Sequence, residues 1–535
     1  MQRVGKPFRG HDLGTPYDAI VIGSGIGGLS TAALLARHAG KRVLVLERHY
    51  MPGGFTHVFR RGQYEWDVGL HYIGDVQTRR SLTRRLFDHI TDGGLEWVSM
   101  GEVYDRIVFG DDAYDFAAGP DRFVDGLAER FPDERSAIER YVRMIRKVAR
   151  GSRLYFAEKA IPAPLAAVAG PLLRWPFMRW ARRTTAEVLA EITSNPRLRG
   201  VLAGQFGDYG LPPSQSSFGM HALLARHYLW GGSYPVGGSS VIAAAVAPLI
   251  ESAGGEILFN AEVAEILIEG HREGDRAVGV HMADGAELRA PVVVSDAGVS
   301  NTFERLLPAA VGERHGLIRQ LHALAPSAAH LCLYLGLSKT AAELDLPKNN
   351  FWLYPGYDHD ANVEAFVNDP EAPLPVVYVS FPSAKDPDFE RRYPGRATIE
   401  LITLAPWERF AAWAGETVRR RGGDYEGLKA ELAERMLAEL HRRLPQVRQA
   451  IDHQEVSTPL STRHFANYER GEIYGLAHSP ERFEARWLRP RTPIRGLWLT
   501  GQDVATCGIA GAMAAGYLTA SAMLGRNLLK AAGRG

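Results

Sequence analysis

One short stretch, Gly23-Ser24-Gly25-Ile26-Gly27-Gly28, restricts what this chain can fold into more than any other. It follows YDAIVIG, an apolar run rich in β-branched residues that reads as a buried parallel strand. It precedes an alanine-rich segment, Leu29 to His38, that reads as a helix, and then KRVLVLE, a second buried strand ending on Glu47. Gly23 permits a tight turn, Gly25 lets backbone approach a pyrophosphate, and Gly28 lets the helix pack closely on the strand. The free N–H groups and positive dipole end of that helix, opening through Ser24, Ile26 and Gly27, suit a pyrophosphate. Glu47 suits the ribose hydroxyls of an adenosine and disfavours a 2′-phosphate. Strand, glycines, helix, strand and terminal acid together predict a dinucleotide-binding βαβ unit.

The fingerprint alone does not separate a nicotinamide from a flavin dinucleotide. Two further features favour FAD. Gly53-Gly54, just past Glu47 and Arg48, offers bare backbone to a ribityl diphosphate. Near the other end, Gly501-Gln502-Asp503 precedes a small-residue helix that starts near Gly508, whose N-terminus can face the negative charge of a reduced flavin. Val263, in NAEVAEI, is placed at the adenine through its backbone. No second fingerprint occurs, so no dedicated NAD(P)H domain is read and the external electron donor is left open.

Composition narrows the remaining classes. With 62 basic and 61 acidic residues, net charge is +1, and no global field favours nucleic acid. Two cysteines, Cys332 and Cys507, exclude a disulfide framework and a cysteine zinc site. Cys507 reads as a buried, inert thiol. No histidine set has metal-ligand spacing, so no metal is expected. The N-terminal MQRVGKPFRGHDLGT is polar and lacks a signal-peptide core, and no apolar run is long enough to span a bilayer. The expected location is cytoplasmic and peripherally membrane-associated. The membrane term comes from Arg153 to Arg183, where Trp175, Phe177, Met178 and Trp180 sit beside Arg174, Arg179, Arg182 and Arg183; the alternative is a buried helical hairpin with a basic rim. Pro162, Pro164, Pro171 and Pro176 are expected to prevent one straight membrane-spanning helix there.

Three runs, GGFTHVFRRGQYEWDVGLHYIGD, STPLSTRHFANYERGEIYGLAH and LTGQDVATCGIAGAMAAGYLTASAMLGRNLL, resemble the family of retinol saturases, carotenoid isomerases and bacterial-type phytoene desaturases. The likeness spans nearly the whole chain and is strongest at its two ends. TGQDVATCG fits the retinol-saturase (all-trans-retinol 13,14-reductase) branch. Gln502 before Asp503, with no proline after it, departs from the desaturases. The resemblance implies an α/β fold: a Rossmann-type FAD-binding domain (GR2/amine-oxidase-like) with a discontinuous α+β substrate domain. It also implies a non-covalent FAD, a hydrophobic tunnel reaching the flavin, and an apolar polyene or lipid substrate that is saturated, isomerised or desaturated. The expected division is FAD-binding over 1–105, 233–304 and 491–535, with the substrate and membrane-associating domain over 106–232 and 305–490. A non-catalytic lipid carrier of the wider superfamily is the remaining alternative, opposed by the intact fingerprint.

Saturation needs a hydride from the flavin and a proton for the neighbouring carbon. Asp67-x-Gly69-x-His71-Tyr72 lies where chains of this family pass the flavin ring. His71 is the first candidate for the proton, since its ordinary pKa is near neutrality, and Tyr72 the second. The alternative for His71 is a hydrogen-bonded structural histidine.

Overall fold

In the computed structural model, which describes residues 4–9, 16–270 and 274–532, part of the polar N-terminal segment lies outside the described residues. Strands from the beginning, middle and end of the chain collect into one sheet of order Lys6–Pro7, Glu256–Phe259, Val43–Glu47, Ala19–Ile22, Val293–Ser295, Leu497–Leu499. Every neighbouring pair is parallel. The inner strands AIVI, VLVLE and VVS are buried at every position, as they must be when both faces are covered.

The helix after the glycine turn, Ile26–Ala39, is buried from Ile26 to Ala36 and stops at Gly40, which takes the left-handed conformation that ends helices. It packs against the last long helix, Gly508–Leu524. Small residues set that crossing: a Cβ on Gly516 would lie 2.6 Å from the Ser30 Cβ. The first and last segments of the chain are thereby locked together.

A second, mixed sheet has the order Ile451–Ser457, His330–Leu337, Ala397–Leu404, Val377–Ser380, Asn350–Tyr354, Val103–Phe109, Asp112–Ala117. The helix Gly422–Arg443 buries Leu432, Met436 and Leu440, a stripe at helical spacing, in the same core as Leu331, Leu333 and Leu335. The Val103–Phe109 strand straddles the division expected at 105/106, and the Gly232–Pro235 strand straddles that at 232/233.

A helical layer built on Arg135–Ala160 and Ala163–Ala181 closes one side of the second sheet. Ala163–Ala181 is one helix that runs through both Pro171 and Pro176. Each proline forfeits a single backbone bond, while packing against the longer helix holds the element together. Gly151 permits the close approach, since a Cβ there would lie 3.1 Å from the Pro176 carbonyl oxygen. Phe177 and Ala181 are fully buried in that interface. Among the described residues no helix is long and apolar enough to cross a membrane.

Candidate active site and cofactor cleft

Between the two sheets lies a cavity of about 650 Å³. One part of its wall is the glycine turn and what surrounds it: Gly23, Gly25, Ile26, Gly27, Glu47, Arg48, Gly53, Gly54 and Val263. The other part is apolar and aromatic, with His71, Tyr72, Tyr228, Trp352, Tyr378 and the helix start Cys507–Gly508. The two groups of residues singled out at opposite ends of the sequence thus meet on one cleft.

The turn is a cradle that side chains would fill. A Cβ on Gly54 would sit 2.9 Å from the Gly25 Cα, and one on Gly27 would sit 2.6 Å from the Gly501 Cα. Gly25 and Cys507 are the N-caps of the two helices that meet here, and neither helix has a side-chain cap. Both therefore set positive dipole ends beside cap residues that line the cavity, and at the first of them the Gly28 N–H is turned to Asp296. An elongated cleft with two open helix N-termini and a glycine floor fits FAD.

Glu47 is 8% exposed and already engaged. Its Oε2 accepts from the Ser24 backbone N–H (2.9 Å) and hydroxyl (2.7 Å), and its Oε1 from the His49 N–H (2.8 Å). The carboxylate is thus fixed in place beside the cavity. Ser24 acts from behind the wall; its hydroxyl also accepts from the Gly53 N–H at 2.9 Å, tying the two glycine motifs together. Gly28 and Gly501 likewise sit behind the wall, where Gly28 lets the Gly23 carbonyl pass closely and Gly501 leaves room for the Asp296 carboxylate. The Arg48 guanidinium donates to the carbonyl of His464 (2.8 Å).

Asp503, grouped with Gly501 and Gln502 ahead of the last helix, does not line the cavity. Its carboxylate turns away from the cavity and accepts from the backbone N–H groups of Leu476 and Val299, each at 2.9 Å. The buried Arg482 lies 3.5 Å from it and donates to the carbonyls of Leu476 and Gln502. Asp503 therefore holds the turn that aims the last helix, and does so through the protein alone.

The acid that does face the glycine cradle is Asp296, directly after the Val293–Ser295 strand. A Cβ on Gly25 would lie 2.5 Å from its Oδ2. Asp296 is absent from the residues predicted from sequence; the signal that finds it is an acid at the carboxyl end of a parallel strand, where ligands bind in such sheets. Burial pushes Asp296 up to about 8, with the charges of Glu47 and Asp503 adding and the Gly28 N–H opposing. It is neutral at pH 7 and negative above about pH 8. A diphosphate beside it favours the neutral form, so the sign is fixed: FAD affinity should fall as pH rises past about 8. In Asp296→Asn that loss should vanish. Fluorescence titration of apoprotein with FAD between pH 6.5 and 9.5 reads both; a flat wild-type profile would contradict this role.

His71 and Tyr72 lie on the cavity wall, over a buried polar network. His71 Nδ1 is 2.8 Å from Glu400 Oε2, and Glu400 Oε1 accepts from the Asp67 N–H at 2.9 Å. Burial pushes His71 down to about 4, helped by Lys385, and pushes Glu400 up to about 8. Burial thus favours the uncharged form of both partners of this contact. Lys385, itself pushed down to about 7 by burial, donates to the His71 carbonyl (2.8 Å) and the Ser380 hydroxyl (2.7 Å). His71 is thus tethered twice, through its ring and through its carbonyl. Tyr72 stacks on Tyr228 with ring centroids 4.1 Å apart and bonds Asp105 and Asp208. Glu400, Lys385, Asp105 and Asp208 were invisible in sequence, since they reach this point from four distant segments. Cys507 is buried and pushed up to about 12, an inert thiol as read.

This fold and cleft define an FAD-dependent oxidoreductase. Residues 26–405 match the flavin containing amine oxidoreductase family. An oxidoreductase from Methanosarcina mazei has the same fold, with a TM-score of 0.62 at 16% identity over 95% of this chain and 100% of that one. The branch is set by sequence. All-trans-retinol 13,14-reductase of Danio rerio is 38% identical over 96% of this chain and 86% of its own length. A chloroplastic prolycopene isomerase of an Oncidium hybrid is 25% identical over 91% and 80%. The chain belongs to the all-trans-retinol 13,14-reductase family.

Proposed function

We propose that this protein reduces a carbon–carbon double bond of an apolar polyene, such as a retinoid or carotenoid, with FAD as the redox group. The observation that carries the reading is the continuity of the cleft: a dinucleotide cradle opens directly onto a wall of Tyr228, Trp352, Tyr378 and Leu224. When bound and reduced, the flavin supplies the hydride. The chain supplies the rest. In this reading Glu47 and Val263 take the adenosine, the Gly23–Gly27 turn and Gly53-Gly54 the diphosphate and ribityl chain, and the Gly508 helix start the ring. Aromatic walls exclude water and align the polyene, which offers few polar handles. His71, held neutral, shapes the reacting end. The division into an FAD-binding domain over 1–105, 233–304 and 491–535 and a substrate domain over 106–232 and 305–490 goes with this reading, since the parallel sheet draws its strands from the first set. Anaerobic incubation of the reduced protein with a polyene panel tests it: saturation adds two mass units to the product. Constant mass selects the isomerase reading, which the prolycopene isomerase likeness supports, and loss of two mass units selects a desaturase.

The reading includes a membrane surface as the source of substrate. Leu165, Val168, Leu172 and Trp175 line one side of the Ala163–Ala181 helix and are 61%, 84%, 81% and 60% exposed. Exposed apolar groups at this density mark an interaction surface. The cations expected to bind lipid are mostly committed elsewhere: Arg174 faces Glu158, Arg182 pairs with Glu484 and Arg183 with Glu191. Binding should therefore be apolar and salt-resistant. Val168→Asp with Leu172→Asp should weaken sedimentation with neutral phosphatidylcholine vesicles by about tenfold or more, from the lost burial of two side chains. Unchanged sedimentation would remove the membrane term.

A further inference from the structure

The reduction consumes a proton, and His71 Nδ1 is already engaged by Glu400 at 2.8 Å, which turns attention to the acids of the cavity. Five acids line the cavity: Glu47, Asp208, Glu262, Asp296 and Glu455. Three of them, Glu47, Glu262 and Asp296, stand around the dinucleotide cradle, and Glu455 is paired with Arg61 at 2.6 Å. Asp208 stands alone on the aromatic part of the wall. It ends the short turn Phe206–Asp208, and its backbone carbonyl accepts from the Cys507 thiol at 3.6 Å. That contact sets it beside the helix start assigned to the flavin ring.

Its hydrogen bonds settle where the protons are. The Tyr72 hydroxyl oxygen is 2.9 Å from Asp105 Oδ2 and 2.9 Å from Asp208 Oδ2. A phenol has one proton, so it can donate to only one of the two at a time. Asp105 is fully buried and also accepts from Gln205 Nε2 (2.7 Å) and Asn350 Nδ2 (2.9 Å), the donor set of a carboxylate. Asp208, among the described residues, has Tyr72 as the sole partner of its carboxyl group. Two carboxylates joined through one atom do not both ionise in a dry site, and the one with fewer donors keeps the proton. Burial, with the Asp105 charge adding, pushes Asp208 in the same direction.

We propose that Asp208 is the proton donor of the reduction, with Tyr72 and Asp105 as its positioning partners; the proposal rests on the saturation reading above. In balance, the carbon–carbon π bond breaks, one carbon takes the hydride of the two-electron-reduced flavin, and its neighbour takes the Asp208 proton. The flavin ends oxidised and Asp208 ends as a carboxylate. The Tyr72 hydroxyl then turns from Asp105, which keeps Gln205 and Asn350, to donate to the new charge. Solvent restores the Asp208 proton before the next turnover.

The test has two arms. Infrared spectra of the resting protein, in H₂O and D₂O, should contain a deuterium-sensitive C=O band of a protonated carboxyl group that Asp208→Asn removes and Tyr72→Phe shifts. Persistence of every such band in Asp208→Asn overturns the proposal, whether or not a polyene is turned over. In single turnover with reduced holoprotein, Asp208→Asn should slow saturation roughly a hundredfold or more, the usual size of a general-acid term, with FAD content unchanged. Wild-type rates in that variant also overturn it. If Asp208→Asn fails to fold or to hold FAD, Tyr72→Phe decides: a shifted band with slower protonation supports the proposal, and an unshifted band refutes it. Should the wild type saturate no polyene while the band behaves as stated, the saturation reading fails and the protonation state of Asp208 stands.

Discussion

Gly27→Val is expected to yield protein without flavin. A Cβ at position 27 would lie 2.6 Å from the Cα and 2.7 Å from the N of Gly501. Both are backbone atoms at the end of the Leu497–Leu499 strand, which is bonded into the parallel sheet beside Val293–Ser295. Neither can rotate away as a side chain would. Restoring ordinary carbon contact requires about 1 Å of separation between the first and last segments of the chain. That separation opens the crossing of Ile26–Ala39 with Gly508–Leu524 and moves the two helix N-termini apart. Overpacking of this kind costs about 3 kcal/mol, and valine adds its β-branch to the same space. Flavin absorbance per protein and the urea midpoint should both fall. Full flavin content at wild-type stability would show that the two segments do not close on one another as described.

Arg482→Met should be nearly as damaging, although Arg482 does not itself line the cavity. It is 2% exposed and donates to the carbonyls of Leu476 (2.8 Å), Gln502 (2.7 Å), Asp503 (3.3 Å) and Ala505 (3.4 Å). It also faces the Asp503 carboxylate at 3.5 Å. Methionine fills the volume but leaves a buried acid and several carbonyls without their donor. Breaking a buried ion pair from one side costs about 3–5 kcal/mol. The turn from 502 to 505 leads into the Cys507 cap, so FAD affinity should drop together with stability. Adding Asp503→Asn should recover part of the loss, because the orphaned charge goes. No recovery in the double variant would mean that Arg482 acts through the carbonyls alone.

These two residues mark the boundary of what the sequence makes legible. The Gly23–Gly28 turn, its two strands, Glu47 and the small-residue helix after Cys507 are local patterns, and local patterns can be read along the chain. Partnerships between distant segments cannot. Asp503 illustrates the point: an acid just ahead of a glycine-started helix has the look of a cofactor ligand, yet Arg482 and the N–H groups of Leu476 and Val299 claim it. Asp296 stands at the carboxyl end of the Val293–Ser295 strand, and only the assembly of the sheet brings it to the glycine turn. The Tyr72–Asp105–Asp208 group assembles from three segments, and the pairing of Ile451–Ser457 with His330–Leu337 leaves no trace at either strand. Nor does the sequence show that the Ala163–Ala181 helix continues through Pro171 and Pro176, held by packing against Arg135–Ala160.

The central claim is that reducing equivalents pass from the flavin into a carbon–carbon double bond of an apolar polyene. Anaerobic stopped-flow mixing of the fully reduced holoprotein with all-trans-retinol, read by flavin absorbance and followed by product mass, addresses it directly. The account predicts one flavin reoxidised for each molecule of product two mass units heavier. Reduced flavin that persists while product of unchanged mass accumulates would contradict it.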